Sequence, residues 1–254
     1  MSIPPVIAAL QIPAFTAGSV RSMAWYEDFL LSNAKSFVEN GIKAIKIQDE
    51  TVVSGCASER TIARMASLGH AVQREFTDLF LGIIVQAHDP KAALAIADAC
   101  GASFVRQKVF AAAAVNAEGV RQALGPDAVA YRDAIGRPDI QIYADVQDRT
   151  SMPLENVPSE MAAHWTERLG ADALVITGSN FADTKDRIAK ARSFGVKAPI
   201  LIGGSITKDN VQDALSVCDS VVISSSLVRP GAARDAFDRW DPSSIRQFME
   251  HANA

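Results

Sequence analysis

Eight short apolar segments, separated by longer segments with helical periodicity, constrain the fold of this 254-residue chain more than any other feature. The apolar segments are rich in Val and Ile and are bounded by Gly, Asp or Pro, which is typical of buried parallel strands. The predicted strands cover residues 6–12, 42–47, 79–86, 103–109, 140–146, 173–177, 200–203 and 220–224.

The intervals between these strands have the spacing of amphipathic helices. The predicted helices cover residues 23–39, 58–76, 90–100, 117–135, 153–169, 183–194, 207–215 and 232–252, the last of them divided at Asp241-Pro242. Strict alternation implies parallel strands with right-handed crossovers, and eight such units in about 250 residues match a (β/α)8 TIM barrel. We therefore predict an α/β fold, a single barrel domain over residues 1–254. The alternative is a doubly wound open sheet, but no Gly-x-Gly-x-x-Gly turn follows the first strand.

Composition excludes several classes of protein. The formal net charge is −4, so the chain lacks the basic excess of a general nucleic-acid binder. Three scattered cysteines and four scattered histidines form neither a disulfide framework nor a zinc motif. No apolar segment reaches the roughly 18 residues of a membrane span, and no signal-peptide pattern is evident. We expect a cytoplasmic protein that binds neither nucleic acid nor membranes and that forms a homo-oligomer, as barrels commonly do.

The strand faces predict a polar barrel interior. Alternate residues of a barrel strand point inward, and those near its carboxyl end reach the mouth. On the second strand, Ile45 and Ile47 suit the helix side, which leaves Lys46 and Gln48 facing inward. Applied to every strand, this rule predicts the inward polar set Gln11, Lys46, Gln48, Gln86, Arg106, Lys108, Gln141 and Asp145. These side chains either pair among themselves or bind an anion; three cations against one carboxylate favour the anion.

Lys46, Lys108 and Asp145 are the candidate catalytic residues, suited to proton transfer or carbonyl polarisation. Asp145 can orient either lysine, act as a general base or bind a metal. A lysine with a lowered pKa can also form a Schiff base. Asp49 and Glu50 follow the second strand, and with Asp145 they could hold one divalent cation. No other cofactor is evident.

Glycine and serine follow the last three predicted strands and indicate a phosphate site. The segment Gly203-Gly204-Ser205 precedes a helix predicted from Thr207, so backbone N–H groups and a helix N-terminus could both face an anion. The alternative is that these residues only form tight loops. The candidate phosphate ligands are Gly178, Gly203, Gly204, Ser205, Ser224 and Ser225. The candidate substrate-binding residues are Gln11, Gln48, Asp49, Gln86, Arg106 and Thr177.

Several segments carry a resemblance to a known family. They are Ala9-Leu10-Gln11, Gly18-Ser19, Gly101-Ala102-Ser103-Phe104-Val105-Arg106, Tyr143-Ala144-Asp145-Val146 and Ala171-Asp172-Ala173-Leu174-Val175-Ile176-Thr177-Gly178. On these segments the chain resembles the BtpA/SgcQ family over nearly its whole length. The resemblance implies a phosphate-binding barrel. It links the chain to a family named for photosystem I biogenesis, with another branch in sugar-utilisation operons.

The chain departs from the family pattern at polar positions. It has Gln48-Asp49 where the family tends to have Glu-Asn, and Arg149-Thr150 where Lys-His is common. The framework is retained and the polar positions differ, so we state two hypotheses. The first is a lyase or isomerase that acts on a small phosphorylated, sugar-like metabolite. The second is a non-catalytic assembly or regulatory factor related to the photosystem I biogenesis proteins.

Overall fold

The computed structural model describes residues 3–16, 20–53, 55–154 and 156–254, so that Gly18 and Ser19 lie outside the described residues. Eight parallel strands form a closed barrel, in the order β1-β11-β10-β9-β7-β4-β3-β2. The barrel strands are β1 (Val6–Ile12), β2 (Ala44–Asp49), β3 (Phe80–Ile84), β4 (Phe104–Gln107), β7 (Gln141–Val146), β9 (Ala173–Ile176), β10 (Ile200–Ile202) and β11 (Ser220–Ile223). The predicted (β/α)8 TIM barrel is therefore confirmed, and each predicted strand corresponds to one barrel strand.

Helices surround the barrel and pack on its outer face. They are α1 (Met23–Glu39), α2 (Glu59–Glu75), α3 (Ala92–Cys100), α4 (Gly125–Ala134), α5 (Ser159–Arg168), α6 (Phe181–Ser193), α7 (Val211–Leu215) and α8 (Pro242–Ala252). Ser22, Ser58, Asn180 and Asp241 cap α1, α2, α6 and α8, each accepting a backbone N–H of the first turn. No helix of the described residues is both long and apolar enough to cross a bilayer.

An aromatic floor closes the lower half of the barrel. The Phe104 ring stacks on Phe80 and on Tyr143, with ring centroids 5.2 Å and 4.5 Å apart. Gly82 makes room for this stack, because a Cβ at that position would lie 2.1 Å from the Phe104 ring. The surrounding inward residues are small or aliphatic. This apolar layer excludes water from the lower half of the barrel, so polar side chains directly above it are solvated only from the mouth.

A three-stranded antiparallel sheet occupies positions that the sequence assigned to helices. Its strands are β5 (Ala114–Asn116), β6 (Gly119–Arg121) and β8 (Met152–Pro153), in the order β6-β5-β8. The predicted helices 117–135 and 153–169 therefore begin too early. The physical reason lies in a tight turn, in which the Asn116 side chain accepts the Glu118 N–H at 2.9 Å and Gly119 has a φ of +107°.

Two other predicted helices are shorter in the structure. Helix α7 begins at Val211 rather than Thr207, because the Asn210 side chain accepts the Thr207 N–H at 2.8 Å and holds residues 207–210 in a turn. Residues 232–241 are not helical. Their chain carries Trp240 into the core, where its ring lies 5.3 Å from that of Phe37.

Candidate functional site

The carboxyl ends of the barrel strands surround an open cavity of about 610 Å³. Most of the residues selected from the sequence line it, because they alternate inward on different strands and meet at the same end of the barrel. The predicted residues in its wall are Gln11, Lys46, Gln48, Gln86, Arg106, Lys108, Asp145, Thr177, Gly203, Gly204, Ser205, Ser224 and Ser225. Asp49, Gly178 and Gln141, which the sequence also selected, are not among them.

Asp145 is the ion-pair partner of Arg106. Arg106 Nε and Nη2 donate to the two carboxylate oxygens of Asp145, at 3.0 Å and 2.7 Å. Burial disfavours the Arg106 charge, but the Asp145 charge and hydrogen bonds more than offset this, and the guanidinium pKa lies above its ordinary value. Of the roles open to Asp145 in the sequence, the structure thus places it against Arg106 rather than against Lys46 or Lys108.

Lys46 lies deep in the mouth, with 2% of its surface exposed. Its Nζ donates to Gln48 Oε1 at 2.9 Å, and Gln48 Nε2 donates in turn to Glu50 Oε1 at 2.6 Å. Burial and then the charge of Arg106 hold the Lys46 pKa well below its ordinary value; Asp145 and Glu50 oppose this shift, and Lys108 adds to it. These surroundings therefore stabilise the neutral amine of Lys46 relative to that of an ordinary exposed lysine.

Two further contacts join neighbouring strands across the mouth. Lys108 Nζ donates to Gln86 Oε1. Ser224 Oγ donates to Gln11 Oε1 at 2.8 Å and accepts a hydrogen bond from Trp240 Nε1 at 3.3 Å. The two glutamine side chains therefore present their amide NH2 groups as remaining donors to the cavity.

Asp49 faces the helix layer and does not reach the cavity. Strand β2 extends to Asp49, so side-chain alternation still applies there and turns it away from the inward side of Gln48. Its Oδ1 accepts the Thr51 N–H at 2.9 Å, and burial raises the pKa of its carboxyl. The structure therefore places Asp49 outside the mouth, where the sequence predicted a substrate-binding residue.

Side-chain alternation also separates the three carboxylates that were considered as ligands of a divalent cation. Glu50 and Asp145 line the mouth while Asp49 faces the other way, so these three carboxylates do not converge on one cation. Within the described ranges, no cluster of three His, Cys, Asp or Glu side chains is positioned to hold a metal ion.

The loop Gly203–Ser205 has the character of an anion site. Among the described residues, the N–H groups of Gly204 and Ser205 donate to no protein acceptor. Ser205 has a φ of +64°, and a left-handed residue in a loop commonly presents successive N–H groups to one anion. A Cβ on Gly204 would lie 3.4 Å from Arg149 Nη1, and a Cβ on Gly203 would lie 3.3 Å from Arg106 Nη2. Two guanidinium groups therefore approach this loop.

Gly203 itself provides close packing rather than a free donor. A Cβ there would lie 2.3 Å from Thr177 Oγ1, and its N–H donates to the Ile176 carbonyl at 3.3 Å. The helix that was expected to point at this loop does not do so, because α7 begins at Val211 and has only five residues. The anion character therefore rests on Gly204, Ser205 and the guanidinium groups.

The loop Thr177–Ser179 differs, and Gly178, predicted as a phosphate ligand, lies outside the wall of the mouth. The Gly178 N–H donates to Thr184 Oγ1 at 2.9 Å, and the Ser179 N–H donates to Asp183 Oδ2 at 2.7 Å. These donors are occupied by helix α6, and the Asp183 carboxylate next to them would repel a phosphate. Gly178 lines a neighbouring cavity, which shares Thr177 and Arg149 with the mouth.

Two charged residues of the mouth, Arg149 and Asp148, were not selected as ligands from the sequence, and Glu50 was selected only as a ligand of a divalent cation. Arg149 and Asp148 follow β7, and Glu50 follows β2. With them, the wall holds four basic side chains and three carboxylates, so the excess of basic over acidic groups is smaller than the sequence predicted. A signal was available, since loops directly after barrel strands form the mouth and every charged residue there is a candidate.

Comparison with known proteins agrees with this architecture. The model of the BtpA family matches residues 5–254. The chain belongs to the BtpA family. It is 28% identical over 173 residues to the photosystem I biogenesis protein BtpA of Synechocystis sp., a match that covers 67% of this chain and 59% of that protein. It is 26% identical over 208 residues to an uncharacterised protein of Archaeoglobus fulgidus, covering 80% and 82% of the two chains.

Solved structures share the fold of this BtpA-family chain at low identity. A structure described as native KDPGal has a TM-score of 0.61 at 14% identity and covers 100% of this chain and 96% of its own. KGPDC from Streptococcus mutans has a TM-score of 0.60 at 11% identity, with coverages of 99% and 98%. Phosphoribosyl anthranilate isomerase from Thermus thermophilus has a TM-score of 0.56 at 11% identity and covers 98% of each chain.

Proposed function

We propose that this chain is an enzyme that binds a small phosphorylated, sugar-like metabolite in the barrel mouth and catalyses a lyase or isomerase reaction. The observation that carries the proposal is the loop Gly203–Ser205. There, two backbone N–H groups without a described protein acceptor lie beside the Arg149 and Arg106 guanidinium groups. Backbone donors combined with arginine are the usual partners of phosphate oxygens.

The residues of the mouth suggest separate roles in such a reaction. Arg106 is fixed by its bidentate pair with Asp145, so it offers a positioned charge rather than a mobile proton. Lys46 and Lys108 are the candidate groups for proton transfer or carbonyl polarisation. The amide groups of Gln11, Gln48 and Gln86 offer hydrogen bonds to the hydroxyl groups of a sugar-like substrate.

The alternative is a non-catalytic factor, in line with the name of the Synechocystis relative. A protein that only binds partners through its surface has no need of buried, charged groups inside the barrel, because their desolvation costs stability. The interior set of Lys46, Arg106 and Asp145 therefore favours the enzyme. The name of the phosphoribosyl anthranilate isomerase specifies a phosphorylated substrate on the same fold, which is consistent with the proposal.

Isothermal titration calorimetry with glycerol 3-phosphate and with inorganic phosphate tests the binding part. Arg149 is exposed and pairs with no described carboxylate, so Arg149→Ala should fold normally. We expect its affinity for either anion to fall about tenfold, since hydrogen bonds to charged groups contribute about 1.5–3 kcal/mol. The matched control is Arg74→Ala, which removes the same charge from the last turn of α2, at the opposite end of the barrel.

Equal affinities for Arg149→Ala, Arg74→Ala and the unaltered chain would contradict the proposed phosphate site. A second readout addresses the alternative function. If no phosphorylated compound raises the melting temperature and the chain instead co-purifies with a stoichiometric protein partner, the non-catalytic hypothesis replaces the enzyme.

A further inference from the structure

Lys46 differs in its surroundings from an ordinary lysine of an ion-pair network. Among the described residues, no carboxylate oxygen lies within 4.0 Å of its Nζ, which donates instead to the neutral amide of Gln48. In register on the adjacent strands stand Ala9 and Gly82, which have no polar side chain. Below them lies the aromatic floor around Phe104.

From this arrangement we infer that Lys46 is an amine nucleophile, which forms an imine with the carbonyl carbon of a phosphorylated aldehyde or ketone held in the mouth. The inference rests on the proposed function and names its substrate class and its covalent step. The anion site lies on the β7 and β10 side of the mouth, whereas Lys46 lies on β2, three strands from β10 around the barrel. A ligand that spans the mouth would thus place its phosphate at one wall and its carbonyl at the other.

The environment suits this step because a lysine attacks a carbonyl only as the neutral amine. Burial above an apolar floor, together with the nearby charge of Arg106, lowers the pKa of Lys46, and a neutral hydrogen-bond partner does little to restore its charge. The charge of Asp145 opposes this shift, but both of its carboxylate oxygens are engaged by Arg106, so Asp145 forms no direct ion pair with Lys46.

The step balances without a further reactant. The Nζ lone pair forms a bond to the carbonyl carbon, and the carbonyl oxygen leaves as water with the two amine protons, which gives a C=N bond. When this imine takes a proton from solvent, it becomes an electron sink that allows a bond at the adjacent carbon to break. Bond cleavage or proton transfer at that carbon is the chemistry of a lyase or an isomerase, so the inference agrees with the proposed reaction class.

Borohydride trapping tests the inference on the full chain. The probes are dihydroxyacetone phosphate, dihydroxyacetone without phosphate, and glycerol 3-phosphate without a carbonyl. Reduction of the imine should increase the intact mass of the protein by that of dihydroxyacetone phosphate less one oxygen atom. We expect peptide mapping to place the adduct on Lys46, with much lower yield from dihydroxyacetone and none from glycerol 3-phosphate. An adduct on Lys108, or one scattered over exposed lysines, would overturn the assignment.

Two variants and a control complete the test. Lys46→Arg retains a long basic side chain but cannot form an imine. Lys46→Met, which has a similar volume, is the second variant and serves if the longer arginine is not accommodated. In either variant the adduct yield should fall roughly tenfold or more. Lys43→Arg, at an exposed lysine three residues earlier, should leave the yield unchanged.

The result also separates the two proposals. If glycerol 3-phosphate binds with the expected dependence on Arg149 but dihydroxyacetone phosphate, glyceraldehyde 3-phosphate and pyridoxal 5′-phosphate give no adduct on Lys46, the imine is refuted and the phosphate site stands. If none of the phosphorylated compounds binds, the proposed function fails, and the imine fails with it.

Discussion

The loops after β9 and β10 look alike in the sequence, yet they have different properties in the structure. Each places Gly and Ser directly after a buried strand, as Gly178-Ser179 and as Gly204-Ser205. After β9, helix α6 begins at Phe181, and its Asp183 accepts the Ser179 N–H. After β10, the next helix begins only at Val211, and the loop N–H groups keep no described acceptor. The distance to the next helix therefore decides whether the backbone N–H groups of such a loop are already engaged within the protein.

The largest expected contrast between the loops is in stability. In Gly178→Ala the new Cβ would lie 2.6 Å from both Asp183 Oδ2 and the Thr184 nitrogen, so the loop must move. We expect a loss of about 1–3 kcal/mol in the free energy of unfolding, the usual cost of overpacking. Gly204→Ala meets only the flexible Arg149 side chain and should change stability by less than about 0.5 kcal/mol. Urea unfolding measures both, and equal losses would remove the distinction between the loops.

The same two substitutions should affect phosphate binding in the opposite order, with the larger effect in Gly204→Ala. In Gly204→Ala a methyl group stands between the loop backbone and Arg149, so the affinity for inorganic phosphate should fall about tenfold. Gly178→Ala should bind within about twofold of the unaltered chain, because its N–H is already engaged by Thr184. Calorimetry at a temperature where both variants are folded provides the measurement. A larger loss of phosphate affinity in Gly178→Ala than in Gly204→Ala would instead indicate that the anion binds at the loop Thr177–Ser179.

The serines of the two loops, Ser179 and Ser205, should show the same contrast between stability and binding, with smaller effects. Ser179 Oγ donates to Asp183 Oδ2 at 3.0 Å, so Ser179→Ala should cost about 0.5–1 kcal/mol of stability. The Ser205 hydroxyl donates to no described residue, and Ser205→Ala should leave stability unchanged while weakening phosphate binding a few-fold. Thermal unfolding with and without phosphate separates these outcomes. A stability loss in Ser205→Ala with no effect on binding would show that this loop is structural too.

The smallest expected effect is on pH dependence. The hydrogen bond from the Ser179 backbone, followed by that from Arg187, lowers the pKa of Asp183 below its ordinary value of 3.8. An acid with a lowered folded-state pKa stabilises the fold above its unfolded value and loses this contribution as the pH falls towards the folded one. The stability difference between the unaltered chain and Asp183→Asn should therefore shrink between about pH 5 and about pH 2. A constant difference, measured by urea unfolding, would contradict the role given to Asp183.

Much of the mouth could be predicted from the sequence because strand alternation is a local property. Lys46 and Arg106 face inward as expected, since their neighbours Ile45 and Val105 pack against helices. The error at Asp49 has the same origin, because the strand ends two residues later than predicted and alternation still applies at Asp49. A pattern of period two finds the inward face of a strand but not the residue at which the strand ends.

The loops were harder to predict, because their structure depends on contacts between distant segments. The segment predicted as a helix over 117–135 begins in the structure with a β-hairpin. The sequence did contain a turn signal there, because Asn116 and Gly119 stand between the β-branched residues Val115 and Val120. Arg149 was seen only as a departure from the family pattern. Its approach to Gly204 joins the loops after β7 and β10, and that contact is created only when the barrel closes.

The sequence by itself determined the order of the strands, the closed parallel barrel and the inward position of most of its polar residues, because these follow from local periodicity and the burial of apolar faces. Only the tertiary structure decided which of those groups remain available to a ligand. It paired Asp145 with Arg106, closed the Gly178 loop onto Asp183 and left Lys46 beside a neutral amide. Hydrogen-bond partners and burial depend on segments far apart in the chain, and these together set the charge and reactivity of each group.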